Sequence, residues 1–161
     1  MIMPKIDLDR IQALVASKTG LADPDAVSKI QPGAVFEISD DLVRFPGDPP
    51  RTWHDFRRVI VVQAHHLLGP VEPSSVSVVP CSASRQTEGR GNLLVPAGET
   101  AFTKPSVVAL CTLLMPVPKT ALSSDGYRGS LSPETYGRLL AVIAINLGIA
   151  SNTLLPPRQS P

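Results

Sequence analysis

The sequence predicts an α+β fold: a small twisted antiparallel sheet or partly open β-barrel, with a C-terminal helix packed on it and an N-terminal helical extension before it. Three observations lead there. About five or six short apolar runs follow one another at close spacing, separated by turn residues and by many of the chain's 17 prolines. One long segment near the C-terminus carries helical periodicity with both caps in place. The length of 161 residues, with 43% hydrophobic and 18% charged side chains, suits one domain with a single core.

Residues 6–18, IDLDRIQALVASK, put Ile6, Ile11, Leu14 and Val15 on one helical face, with Gly20 as a stop signal. A second short helix is predicted in DPDAVSKI, with Asp23 as N-cap and Pro24 at the first helical position. Together they make residues 1–30 a helical extension. The main domain is expected over 31–150. PGAVFEIS (32–39) reads as its first strand, with Val35 and Ile38 among the apolar residues, and 40–57 as a long polar, Pro-rich loop holding Trp53 and His54. RVIVVQ (58–63) is too short for a helix and too apolar for a surface strand, so it is expected to be largely buried. SSVSVVPCS alternates at Val76 and Val78 and then runs apolar. GNLLVPAG (91–98), SVVALCTLLMPV (106–117) and GYRGSLS (126–132) complete the sheet.

In SPETYGRLLAVIAINLG, Ser132 caps the helix, Pro133 opens it, Glu134 suits the positive end of its dipole, and Gly148 ends it. Tyr136, Leu139, Leu140, Ile143, Ala144 and Leu147 form the expected packing face. The tail 151–161 is expected to be disordered.

Composition narrows the function. Fifteen basic and fourteen acidic residues give a formal net charge of +1, so the chain is no polybasic protein and any nucleic-acid contact has to come from a local patch. Aromatics at 4% argue against a Phe- and Tyr-rich base-stacking platform. Cys81 and Cys111 form no CxxC pair and lie in apolar runs, which predicts reduced thiols in a cytoplasmic protein. The N-terminus lacks a signal-peptide pattern, and LLAVIAINLGIA is too short to span a bilayer.

Metal chemistry finds little support. His65 and His66 are neighbours, and neighbouring strand residues point to opposite faces. His54 has no carboxylate or cysteine at ligand spacing. There is no Walker-type loop and no GxSxG elbow, and GRGN (89–92) reads as a hairpin turn. The more informative set is Arg57, Arg58, Ser82 and Ser84. Taken alone, Arg58 reads first as a strand-edge charge that solvates a loop, and Ser82 as an ordinary turn residue. If their strand ends share one rim, however, a forked guanidinium and a hydroxyl could hold a phosphodiester oxygen.

From PGAVFEI through INLG, about residues 31–148, the chain resembles the MazF/PemK (Kid) family of toxin endoribonucleases from toxin–antitoxin modules. The residues that carry the likeness are PGAVFEIS, FRRVIVVQAHHL, SVSVVPCSAS, NLLVPAGETAFTKPSVVALCTLL and GSLSPETYGRLLAVIAINLG, in the family's order. The C-terminal part is the most specific: a Pro-Ala-Gly-Glu turn, a Lys, a Ser-Val-Val strand and a Leu-Ser-Pro-capped last helix.

The resemblance implies a partly open, SH3-like β-barrel, a homodimer, and cofactor-free, metal-independent cleavage of single-stranded RNA at short sequences. It also implies a small antitoxin that occupies the RNA groove. The family's functional Arg falls on Arg58, and its Thr or Ser on Ser82. Arg57, Ser84, Arg85 and Lys104 are expected to contact RNA. The attacking group would be the ribose 2′-hydroxyl, so DNA should not be cut.

Two departures stand out. Some members carry an Arg and an Asp for proton transfer where this chain has Ala109 and Cys111. The loop 40–57 also lacks the family's Gly-Glu-Gln stretch. Among nearby residues His54, whose side chain ordinarily titrates at about 6.5, is the candidate for general base; taken alone it reads first as an exposed loop histidine beside Trp53. Two other functions stay open: a binding module without catalysis, and a gyrase-inhibiting toxin of the related CcdB fold.

Overall fold

The computed structural model describes residues 24–43, 55–64, 67–68, 74–84, 88–89, 91–103 and 107–149. Its elements are α1 (Pro24–Lys29), β1 (Ala34–Ser39), β2 (Phe56–Val61), β3 (Ser75–Ser82), β4 (Leu93–Val95), β5 (Val107–Ala109), β6 (Met115–Pro118), β7 (Tyr127–Ser130) and α2 (Pro133–Asn146), with 3-10 turns at Asp40–Leu42 and Lys119–Ala121. The expected helix over 6–18 and the tail 151–161 lie outside the described residues. None of the described helices is long and apolar enough to cross a membrane.

All strand pairs are antiparallel, in the order β4-β5-β3-β2-β1-β7, with β6 also paired to β3. Successive strand residues point to opposite faces, and both faces of this sheet are covered. Val35, Ile60, Val79 and Cys81 pack with Val95, Val107, Leu139 and Ile143 on one face. Phe36, Ile38, Val59, Val61, Val76 and Val78 pack with Val117 and Leu122 on the other. That is why Val59, Ile60 and Val61 are consecutive and all fully buried.

Three expectations need correction. The run SVVALCTLLMPV is not one strand. It pairs with β3 twice, as β5 (Cys81↔Ala109) and as β6 (Val78↔Met115), with a turn between them closed by Leu113 N–H to Leu110 C=O at 2.8 Å. Pro80 supplies the reason. Its carbonyl accepts from Leu110 N–H at 2.9 Å, so its missing N–H falls on the side of β5 and β6 and interrupts the ladder there. Pro116 and Pro118 sit in β6, where two donors are also lost.

The strand expected over 58–63 runs instead from Phe56 to Val61, because Ile38 and Ser39 still find partners in Arg57 and Phe56. The packing face of α2 is narrower and rotated. Leu139, Val142 and Ile143 are buried and Tyr136 packs against them, whereas Leu140 and Leu147 are 39% and 59% exposed. Burying each of those three aliphatic side chains contributes roughly 1.5–3 kcal/mol.

The caps follow the sequence. The Ser132 hydroxyl accepts from Thr135 N–H. At the C-terminus Gly148 takes φ +72°, Gly148 N–H bonds Ile145 C=O at 2.9 Å, and Ile149 N–H bonds Ala144 C=O at 2.8 Å, the paired pattern of a left-handed cap. Glu99, from the Pro-Ala-Gly-Glu turn, reaches the helix start and accepts from Ser132 N–H at 3.0 Å and from its hydroxyl at 2.6 Å.

Candidate functional site

β1, β2 and β3 lie side by side, and at one end their apolar residues give way to polar ones. There a groove of about 220 Å³ opens, lined by Glu37, Phe56, Arg57, Arg58, Cys81, Ser82, Ala83, Phe102, Thr103 and Val107. Arg58 and Ser82, separated by 24 positions in sequence, thus both line one depression.

Arg58 lies on the face of Ile60, two residues along the strand. Its Nη1 donates to Ala101 C=O at 3.1 Å, its Nε is 3.7 Å from Glu37 Oε2, and its guanidinium stands 5.6 Å from the Phe102 ring centroid. The stacked ring and the carbonyl hold the fork in place. Ser82 is the last residue of β3, and its oxygen accepts from Ser84 N–H at 3.1 Å, a local turn that fixes the hydroxyl. The Ser82 hydroxyl hydrogen is still a donor in that arrangement.

Arg57 points to the opposite face, as strand alternation requires. Its Nε is 2.5 Å from Asp40 Oδ1 and its Nη1 donates to Cys81 C=O at 3.2 Å; the two side chains are 11% and 8% exposed. It braces the end of β3 and is itself one of the residues that line the groove. Ser84 is exposed and is not one of the lining residues. His54, Arg85 and Lys104 lie outside the described residues.

Sequence reasoning missed Glu37. It is the one charged residue in AVFEIS, and that break in an apolar run was the available signal. It faces Arg58 directly across the β1–β2 ladder. It also meets Arg128, whose Nη2 donates to Glu37 Oε1 at 2.9 Å. Arg128 reaches there because the β1–β7 register shifts between Val35 and Phe36, leaving Arg128 as the extra residue of a bulge. A cation, an anion and a cation therefore stand in a row.

Cys81 lines the groove with its backbone and a buried thiol. Burial, and then the nearby Cys111, push that thiol far above its ordinary value, with Arg57 and Arg58 offsetting only part. Burial likewise pushes Cys111 up to about 11. Both cysteines are free. Ala109 is fully buried and Cys111 nearly so, and of β5 it is Val107 that lines the groove. Among the described residues no group of three or more His, Cys, Asp or Glu side chains stands close enough to hold a metal ion. A second cavity, of about 410 Å³, lies beside α2, with Leu67, Leu114 and Leu140 among its lining residues.

The sheet, groove and capping helix define a small antiparallel half-barrel of the MazF type. No family model matches the chain, and no curated protein matches it in sequence. Solved structures do match the fold. An endoribonuclease from a mycobacterial species superposes with a TM-score of 0.55 at 13% identity, covering 75% of this chain and 93% of that one. A mycobacterial endoribonuclease in complex with its cognate antitoxin gives 0.54 at 14% identity, covering 75% and 97%. MazF from Deinococcus radiodurans gives 0.52 at 12% identity, covering 73% and 96%. The fold that the sequence resemblance implied is therefore the fold of this chain.

Proposed function

We propose that this protein is the toxin of a toxin–antitoxin module, an endoribonuclease that cleaves single-stranded RNA without a metal ion. The observation that carries the reading is the convergence of Arg58 and Ser82 in one groove on a MazF-type half-barrel. The ribose 2′-hydroxyl attacks the adjacent phosphorus, the P–O5′ bond breaks, and the products are a 2′,3′-cyclic phosphate and a 5′-hydroxyl. The protein has to position the nucleotide, stabilise charge on the phosphoryl oxygens and move two protons. Arg58 keeps its charge at any working pH and supplies the stabilisation. Ser82 donates a hydrogen bond to a non-bridging oxygen. Arg57, whose guanidinium is turned to Asp40, holds the Ser82 end of β3 and lines the groove beside it, where it adds positive charge for the RNA. Ser84, Arg85 and Lys104 extend the contact along the RNA backbone, and His54 is a candidate for proton transfer.

The same reading includes a small antitoxin bound in the groove, a homodimer and a cytoplasmic setting, with DNA left uncut. One fold neighbour, an endoribonuclease in complex with its antitoxin, supports such a partner. Leu67, Leu114 and Leu140, each between 39% and 49% exposed around the second cavity, support a protein contact beside α2. A second reading, a groove that binds without cutting, is favoured by β5, which offers Val107 where a titratable side chain would serve.

The test is incubation of the purified protein, freed of any partner, with a long single-stranded RNA in EDTA, reading fragment ends at nucleotide resolution. Specific cuts ending in cyclic phosphate, slowed about 10²–10³-fold in Arg58→Ala, are the expected result. RNA binding without any cut favours the binding module. Cleavage at full rate in Arg58→Ala removes the proposed site.

A further inference from the structure

From the groove's own chemistry we infer that Glu37 is the general base of the RNA cleavage proposed above, and this inference rests on that reading. Two protons have to move, and the lining residues offer few groups to move them. The guanidiniums of Arg57 and Arg58 do not deprotonate in proteins. The Cys81 thiol is buried. Ser82 and Thr103 carry hydroxyls, which are poor acceptors of a proton at neutral pH. Among the described lining residues Glu37 is the one carboxylate.

Position argues the same way. Glu37 Oε2 lies 3.7 Å from Arg58 Nε, so a phosphate held by the Arg58 fork stands close to it, with the adjacent 2′-hydroxyl within reach. The other oxygen, Oε1, accepts from Arg128 Nη2 at 2.9 Å and is thereby fixed. One carboxylate oxygen is anchored and the other stands beside Arg58, the group that would hold the phosphate, as a base acting in one direction requires. The bulge that carries Arg128 to Glu37 has no role in strand pairing, since it breaks the ladder at that point. Ala109, the last residue of β5, and Cys111 just after it are buried and do not line the groove, so neither supplies this proton acceptor.

The step balances without a further reactant. Glu37 Oε2 takes the proton of the 2′-hydroxyl as the O2′–P bond forms. The P–O5′ bond breaks, and water protonates the departing 5′-oxygen. The resulting hydroxide takes the proton from Glu37 and restores the carboxylate. Arg58 and Arg128 are the charged groups facing Glu37 from β2 and β7.

Single-turnover cleavage by Glu37→Gln in the full chain tests this, beside the affinity for an RNA whose attacking ribose is 2′-deoxy. Gln keeps the size and one oxygen acceptor but is a far weaker base. The expected result is a rate lower by about 10²-fold or more with affinity changed less than about threefold. Glu37→Asp, which keeps the base at a longer reach, should retain more activity than Glu37→Gln. Wild-type cleavage in Glu37→Gln overturns the inference while leaving the ribonuclease reading intact. So does a loss of affinity as large as the loss of rate, or a hundredfold loss in His54→Ala alone. A wild-type protein that cuts no RNA removes the reading and the inference together.

Discussion

Asp40→Ala probes how the groove is held from behind. Asp40 and Arg57 form an ion pair at 2.5 Å with side chains 8% and 11% exposed, and the same guanidinium donates to the Cys81 carbonyl at the end of β3. Removing one partner of a pair so well enclosed leaves the other charge poorly compensated, which costs about 3–5 kcal/mol. The remaining exposure and the carbonyl contact set the expectation near the lower end, about 3 kcal/mol, or roughly 10 °C in Tm for a domain of this size. Urea denaturation at pH 7 is the assay, with Arg57→Met and the double variant completing a cycle. The double variant should be more stable than Asp40→Ala, because it no longer buries a cation that has lost its carboxylate, and the coupling should exceed about 1 kcal/mol. A destabilisation below about 0.5 kcal/mol, or a double variant no better than Asp40→Ala, would refute the brace.

Two further expectations concern titrating groups. For Glu99, partial burial acts to raise the carboxyl, but hydrogen bonds from Ser132 and Thr135 outweigh it and hold the value below normal. Its contribution to stability is therefore complete above the unfolded-chain value and disappears as pH falls through the folded one, so wild type and Glu99→Gln should differ in denaturation midpoint at pH 7 and converge in acid; a constant gap from pH 7 to 3 contradicts this. For Cys81 and Cys111, burial raises both thiols, Cys111 to about 11. Neither should react with an aromatic disulfide at pH 8 until the protein is unfolded, and rapid native labelling of either would show that the groove floor opens.

The sequence was informative where a residue's role depends on its neighbours in the chain. Ser132, Pro133 and Gly148 bracket α2 because capping is local, and the apolar runs at 34–38, 59–61 and 76–81 became strands because both faces of the sheet are covered. What depends on register was not legible. Pro80 breaks a ladder only because β5 and β6 lie on its donor side. The Arg57–Asp40 pair and the Glu37–Arg58–Arg128 row each join strands or turns far apart in sequence, and the last also needs a one-residue slip. Periodicity alone gives too broad a helix face, because Leu140 and Leu147 satisfy the 3.6-residue period nearly as well as Leu139 and Ile143 do. Only the geometry of the sheet separates them.

The division of β3 at Pro80 has a consequence for how the molecule breathes. Residues 75–78 share hydrogen bonds with β6, whereas 81 and 82 share theirs with β5, which in turn holds the three-residue β4. The two halves of one strand thus belong to different opening units, and amide exchange should report two free energies along it. The half that bears Ser82 rests on the shorter ladders and is the cheaper to open. The rim of the groove can then yield to an incoming strand or peptide while the sheet behind it stays closed.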